Sequence, residues 1–143
     1  MTTILIAGGY GAVGSKIAQQ LADRKDTAVI IAGRSLEKAR AEAKAIGAEA
    51  RMIDLRQSAS WAAALEGVDL VVTCIDQTDT AFLQTLGDHG IACVDVTADD
   101  AIFRKAEALD LPTTAVFSVG LAPGLSNLLA IAAARGLDHL DRI

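Results

Sequence analysis

The stretch Gly8-Gly9-Tyr10-Gly11-Ala12-Val13-Gly14 constrains this chain more than any other. It follows an all-apolar run, Ile4-Leu5-Ile6-Ala7, and opens into an apolar pattern of helical spacing that begins near Val13. A short run of that polarity reads as a buried strand, and the spacing after it as an amphipathic helix. Between the two, Gly9, Gly11 and Gly14 fall on G-x-G-x-x-G. Each glycine answers a separate need: Gly9 the tight bend out of the strand, Gly11 the close approach of backbone to a ligand, Gly14 the packing of helix on strand. The first N–H groups of a helix have no intrahelical partner and sit at the positive end of its dipole, so this junction suits two bridging phosphates. The strand before and the helix after make it a dinucleotide-binding turn, with Tyr10, Ala12 and Val13 as its intervening site residues.

The rest of the chain continues the alternation. Val13, Ile17 and Leu21, with Ala18 and Ala22, predict a helix over residues 12–24 that turns Lys16, Gln19, Gln20 and Asp23 outward. A buried strand is expected over 27–32, and a helix over 36–46 closed by Gly47. Apolar runs at 49–53, 69–75, 91–96 and 114–119 alternate with helical stretches near 58–66, 78–88 and 100–109. Strands without polar alternation, separated by helices, require a parallel sheet covered on both faces. Six of them make a doubly wound α/β fold of order 3-2-1-4-5-6. With no solenoid repeat and no low-complexity linker, a single domain accounts for residues 1 to about 120.

Composition narrows the partners. A chain of 143 residues is the size of one domain. Its net charge of -5 and pI near 4.9 argue against a nucleic-acid or anionic-membrane surface. Although 52% of residues are hydrophobic, no segment reaches the ~18 apolar residues of a membrane span. The N-terminus lacks a secretory pattern, so the cytoplasm is the expected compartment. Cys74 and Cys93 sit in strand-like runs and read as reduced core thiols, with a disulfide open only if those strands are neighbours.

The choice of nucleotide rests on the end of the second strand. NAD-binding domains of this type place an Asp or Glu there, about 20 residues past the glycines, to accept from the ribose hydroxyls. Here the residues are Ala32-Gly33-Arg34-Ser35. No carboxylate repels a 2′-phosphate, Arg34 offers a forked donor, and Ser35 and Lys38 add more, so NADP is expected over NAD. Ser35 also reads as the N-cap of the second helix, and Arg34 as a solvated loop residue. Asp54, beside Leu55 after the third strand, is either an acceptor for the adenine amino group or a capping loop carboxylate. Cys74, Ile75 and Asp76 end the fourth strand, and Asp95, Val96 and Thr97 the fifth. Strand carboxyl ends line the ligand crevice, which makes Cys74, Ile75 and Thr97 candidate neighbours of the cofactor's ribose and nicotinamide.

No acid, base or nucleophile stands out. Gly14-Ser15-Lys16 reverses the order that a nucleoside-triphosphate loop needs. Tyr10 is the sole tyrosine, which excludes the Tyr-x-x-x-Lys pair of short-chain dehydrogenases, and no Gly-x-Ser-x-Gly elbow exists. His89 and His139 read as solvated, and two cysteines with two histidines at unrelated spacings make no metal site.

Residues 115–136 read as strand, turn and helix, with Leu125, Leu128, Leu129 and Ala132 on one face of that helix and Ile131 beside it. So apolar a helix is expected to be covered by a partner chain or a second domain, since the seven residues after Gly136 are too few.

Four segments together resemble the saccharopine dehydrogenase family of NADP-linked oxidoreductases: the glycine turn 8–14, Ala32-Gly33-Arg34-Ser35, Asp54-Leu55, and Gly120-Leu121-Ala122-Pro123-Gly124-Leu125-Ser126-Asn127. The last segment is where family members leave the nucleotide domain, which implies a nucleotide-binding domain over residues 1–122 and a linking helix with the start of a second domain over 123–143, and Leu137–Ile143 resembles the link into it. The resemblance implies an oxidoreductase that makes or breaks a secondary amine of an amino-acid-derived substrate by hydride transfer to or from a C=N bond, completed by a second domain and often dimeric. The fragment alone would then be inactive. Ala122 departs from the Asp of saccharopine reductases, which leaves the particular substrate open, and catalytic residues do not carry over because the resemblance places them in the substrate domain. The alternative of another class is a regulatory NAD(P) sensor, of the kind that gates potassium uptake. Such sensors keep an acidic residue after the second strand, where this chain has Arg34.

Overall fold

The computed structural model describes residues 1–97, 99–117, 119–120 and 124–135. Its elements are β1 (Thr2–Ala7), α1 (Gly14–Ala22), β2 (Thr27–Gly33), α2 (Leu36–Ile46), β3 (Glu49–Met52), a 3₁₀ turn (Ser58–Ser60), α3 (Trp61–Leu65), β4 (Leu70–Thr73), α4 (Ala81–Asp88), β5 (Ala92–Asp95), α5 (Asp100–Glu107), β6 (Ala115–Val116) and α6 (Leu125–Ala134). The six strands form one sheet of order β3-β2-β1-β4-β5-β6, parallel throughout. This is the doubly wound Rossmann order expected from the alternation of apolar runs and helices.

The strands are apolar at successive positions because both faces are covered. Leu5, Ala7, Ile30 and Ala32 face the core shared with Trp61, Phe82, Leu83 and Leu86. Their neighbours Ile4, Ile6, Val29 and Ile31 face the opposite core, beneath Ala18 of α1 and Ala39 and Ala43 of α2. Each buried Ile or Leu stabilises the fold by about 1.5–3 kcal/mol through removal from water. Trp61 and Phe82 meet edge to face, with centroids 5.1 Å apart. Arg51 of β3 donates to the carbonyls of Ala64 and Glu66 at 2.9 and 2.6 Å, closing the end of α3, and pairs with Glu49 at 2.8 Å.

Local chemistry sets the boundaries. α2 runs from 36 to 46 as expected because Ser35 Oγ accepts the Lys38 N–H at 3.3 Å and Gly47 adopts a left-handed φ of 69°. α1 is shorter than the 12–24 pattern: its first turn is given over to the glycine bend, and Arg24 pairs with Asp26 in the loop beyond. α4 starts at Ala81, not near 78, since Asp79 Oδ1 accepts the Ala81 N–H at 2.9 Å and forms the turn into it. The strand expected over 114–119 is reduced to Ala115–Val116. It lies at the sheet edge and, among the described residues, pairs only with β5, and Val116 is exposed. Leu121, Ala122, Pro123 and 136–143, with His139 and the proposed domain boundary, lie outside the described residues.

Cys74 and Cys93 are both free thiols. β4 and β5 are neighbours, but Cys93 pairs in register with Val71. Cys93 faces one core and Cys74 the other, so the geometry excludes the bond.

Candidate functional site

All of the candidate residues gather at one edge of the sheet, where the carboxyl ends of β1 to β5 meet. The turn after β1 is set by backbone packing. Gly8, not Gly9, carries the left-handed backbone, with φ 84°, and its carbonyl accepts the Gly11 N–H at 2.8 Å. Gly9 is buried for a different reason: a Cβ there would lie 2.9 Å from the Ile6 carbonyl oxygen and 3.1 Å from a methyl of Ile31. A Cβ on Gly14 would collide with the Gly8 carbonyl and lie 2.9 Å from the Gly9 Cα. The start of α1 is therefore pressed directly onto the turn. Gly11 is exposed; a Cβ there would meet only the Gly8 oxygen, at 3.1 Å.

The N-cap position, Val13, supplies no side-chain cap. Among the described residues the N–H groups of Ala12, Val13 and Gly14 donate to no backbone or side-chain acceptor, whereas Ser15 and Ile17 already donate within the helix. Three amides without partners at a helix start, on a surface bare of side chains at Gly11, fit a diphosphate.

At the end of β2, Arg34 is exposed and makes no ion pair among the described residues. Ser35 caps α2, so the capping role foreseen from sequence is filled while its hydroxyl proton stays available. Lys38 lies in the first turn of α2 with its side chain exposed. Tyr10 reaches across from the glycine turn: its hydroxyl accepts the Ser35 N–H at 3.1 Å. Its ring occupies the space that a side chain on Gly33 would need, since a Cβ there would lie 2.5 Å from a ring carbon. This tie between the first and second βα junctions is invisible in the spacing of the sequence.

After β3, Asp54 behaves as the loop carboxylate that was one of its two readings. Its Oδ1 accepts the Arg56 N–H at 3.0 Å and its Oδ2 the Gln57 amide at 3.0 Å, while the Trp61 indole donates to its carbonyl at 2.9 Å. Each oxygen keeps a further lone pair for a ligand donor. Arg34, Asp54, Leu55, Arg56, Ile75 and Asp76 line a cleft of about 80 Å³. The structure thus brings the residues expected at the second, third and fourth strand ends together, and adds Arg56, which no motif had marked.

After β4 and β5 the chemistry centres on Asp95, 1% exposed. Its Oδ1 accepts from the N–H and hydroxyl of Thr97 at 2.7 and 2.5 Å, and its Oδ2 from the Gln77 amide at 2.6 Å. Thr97 can therefore accept from a ligand but has already committed its proton. Gln77, also missed in the sequence because an isolated amide has no signature, keeps a buried Oε1 without a partner among the described residues. Cys74 is half-buried beside the turn, and its N–H donates to the Ala7 carbonyl at 2.9 Å. Burial pushes its thiol up to about 11, with help from the Asp95 charge. Burial likewise pushes Cys93 up to about 12. Neither is an activated nucleophile.

Larger depressions open elsewhere, one of about 470 Å³ beside Thr3, Thr27, Gly47 and Gly67. It lies at the amino ends of the strands and lacks the converging donors of the opposite edge, where a doubly wound sheet holds ligands. His89 is exposed and donates to the Thr85 carbonyl at 2.8 Å, far from the site. Among the described residues no cluster of His, Cys, Asp or Glu suits a metal, and no helix is long and apolar enough to cross a membrane.

A family model described as the saccharopine dehydrogenase NADP binding domain matches residues 4–135. Among solved structures, apo histidine-tagged saccharopine dehydrogenase (L-Glu forming) from Saccharomyces cerevisiae aligns with TM-score 0.79 at 23% identity, over 95% of this chain and 31% of that one. A Gfo/Idh/MocA family oxidoreductase from Vibrio cholerae aligns with TM-score 0.59 at 17% identity, over 82% of this chain and 38% of that one. The triphenylmethane reductase of Citrobacter sp., complexed with NADP(H), aligns with TM-score 0.54 at 25% identity, over 65% of this chain and 36% of that one. The chain thus spans less than a third of the yeast enzyme's length, and at 23% identity that likeness is one of fold. A comparison with curated protein sequences finds no match.

Proposed function

The chain belongs to the saccharopine dehydrogenase family, as its NADP-binding domain, and from that membership we propose a residue-by-residue site for NADP. Residues 9–14 seat the diphosphate on the free amides of Ala12, Val13 and Gly14. Arg34, with Ser35 and Lys38, takes the 2′-phosphate. Asp54 and Leu55 frame the adenine, and Cys74, Ile75 and Thr97 border the nicotinamide ribose. The observation that carries the choice of NADP is Arg34, a cation without an ion pair among the described residues, standing where an NAD site would need a carboxylate.

The whole protein is proposed to be an oxidoreductase acting at a C–N bond of an amino-acid-derived substrate. The bound cofactor supplies the hydride, and the protein contributes binding, orientation and charge. A second domain beyond residue 122 would bring the substrate and the catalytic groups, and would form the contact between two copies. The exposed Leu125, Leu128, Leu129 and Ile131 of α6 support a covering surface of that kind.

Calorimetric titration of the chain with NADPH and NADH tests this reading. The expected result is tighter binding of NADPH by about tenfold or more, as befits a forked ion pair to a phosphate, with the difference reduced about tenfold in Arg34→Ala. Equal affinities in the unchanged chain would overturn it.

A further inference from the structure

We propose that the Tyr10 phenol is a specificity-determining donor to the 2′-phosphate, an inference that rests on the NADP reading above. The phenol oxygen accepts the Ser35 N–H at 3.1 Å, and that N–H belongs to the peptide joining Arg34 to Ser35. A residue of the diphosphate turn thus places its hydroxyl within one peptide unit of the cation that selects the nucleotide. The placement is enforced, because Gly33 leaves room for the ring only by lacking a side chain: a Cβ would fall 2.5 to 2.8 Å from the ring and its oxygen.

Proton inventory then decides what the phenol does. Its oxygen accepts from Ser35, so its single O–H must point elsewhere, and it donates to no acceptor among the described residues. The Ser35 backbone N–H, otherwise a natural phosphate donor, is committed to Tyr10, and the Ser35 oxygen receives the Lys38 N–H. The donors left at this corner are the Arg34 guanidinium, the Lys38 ammonium, the Ser35 hydroxyl and the Tyr10 hydroxyl. A phosphate monoester offers only acceptor oxygens and can receive from all four. The bare ribose hydroxyl of NAD carries one weaker acceptor and a competing donor, so the phenol favours NADP.

The test is calorimetric titration of the chain and of Tyr10→Phe with both nucleotides. The substitution keeps the ring over Gly33 and removes only the oxygen. The preference for NADPH over NADH is expected to fall about tenfold, the loss of one hydrogen bond to a charged group, through weaker NADPH binding. A preference that survives Tyr10→Phe, including parallel weakening of both nucleotides, overturns this inference and leaves the Arg34 assignment standing. Absence of any preference in the unchanged chain overturns both. Tyr10 is the sole tyrosine, so its near-ultraviolet difference band gives a second measurement on the unsubstituted protein. A band with 2′,5′-ADP that is missing with 5′-AMP supports the contact, and identical bands overturn it.

Discussion

The amide of Gln77 and the carboxylate of Asp95 meet at 2.6 Å in a space closed to water, joining the loops that leave β4 and β5. Thr97 holds the other carboxylate oxygen, so a single buried charge organises both loops at the proposed nicotinamide end. Asp95→Asn removes that charge and turns one oxygen into a donor facing a donor. Urea unfolding is expected to show a loss of about 1–3 kcal/mol; a change below about 0.5 kcal/mol would mean that the network does not order the loops.

Two glycine substitutions separate crowding from backbone conformation. Gly14→Ala forces a methyl against the Gly8 carbonyl, where backbone meets backbone and neither yields. It should cost about 2–3 kcal/mol and weaken NADPH binding more than tenfold. Gly47→Ala meets no atom within 4 Å and pays only for its left-handed φ of 69°. Its cost should be about 1 kcal/mol, with nucleotide affinity unchanged. Similar binding losses in the two variants would refute the packed turn.

The thiols give a pH signature. In the unfolded chain they ionise near the ordinary value of 9.0, whereas the folded protein keeps Cys93 protonated to about 12 and Cys74 to about 11. Their stabilisation is complete below pH 9 and declines above it, as the unfolded state alone loses protons. For Cys93 the slope is at most about 1.4 kcal/mol per pH unit; half-buried Cys74 adds less, because solvent screens it. Denaturation of the chain and of Cys93→Ala at pH 8 and pH 10 should show a smaller alkaline loss in the variant. Equal losses would contradict the assignment.

How much of this was legible in the sequence depended on the range of the interaction. α2 could be read to the residue because its cap, Ser35, and its stop, Gly47, are local signals. The parallel sheet followed from the strands' uniform apolarity, which a sheet covered on both faces explains, and the strand order from the usual arrangement of a doubly wound nucleotide fold. β6 was overestimated since Val116, at an edge, gains little from being apolar. The spacing of G-x-G-x-x-G pointed to Gly9 for the bend, but it is the Gly8 backbone that turns left-handed. Nothing in one dimension linked Tyr10 to Ser35, or Gln77 to Asp95, because those contacts exist only once neighbouring strands have paired. The sequence left Asp54 open between two roles, and its loop partners Arg56 and Gln57 came into view only in the folded turn.

The apolar face of α6 makes its own prediction. Leu128 and Leu129 are 65% and 59% exposed, and none of the residues of α6 is buried. Leu128→Lys with Leu129→Lys should therefore shift stability by no more than about 0.5 kcal/mol per site, as measured by thermal melting. A larger loss would show that α6 packs into this domain's own core.

The press of Gly14 on Gly8 has a consequence for how a nucleotide arrives. Because the amides are already aimed and the chain behind them has no slack, docking has little motion left to quench. The ordering was completed when the protein folded, so a diphosphate docking there as proposed would meet a finished seat, and the cofactor could be exchanged without the turn having to re-form.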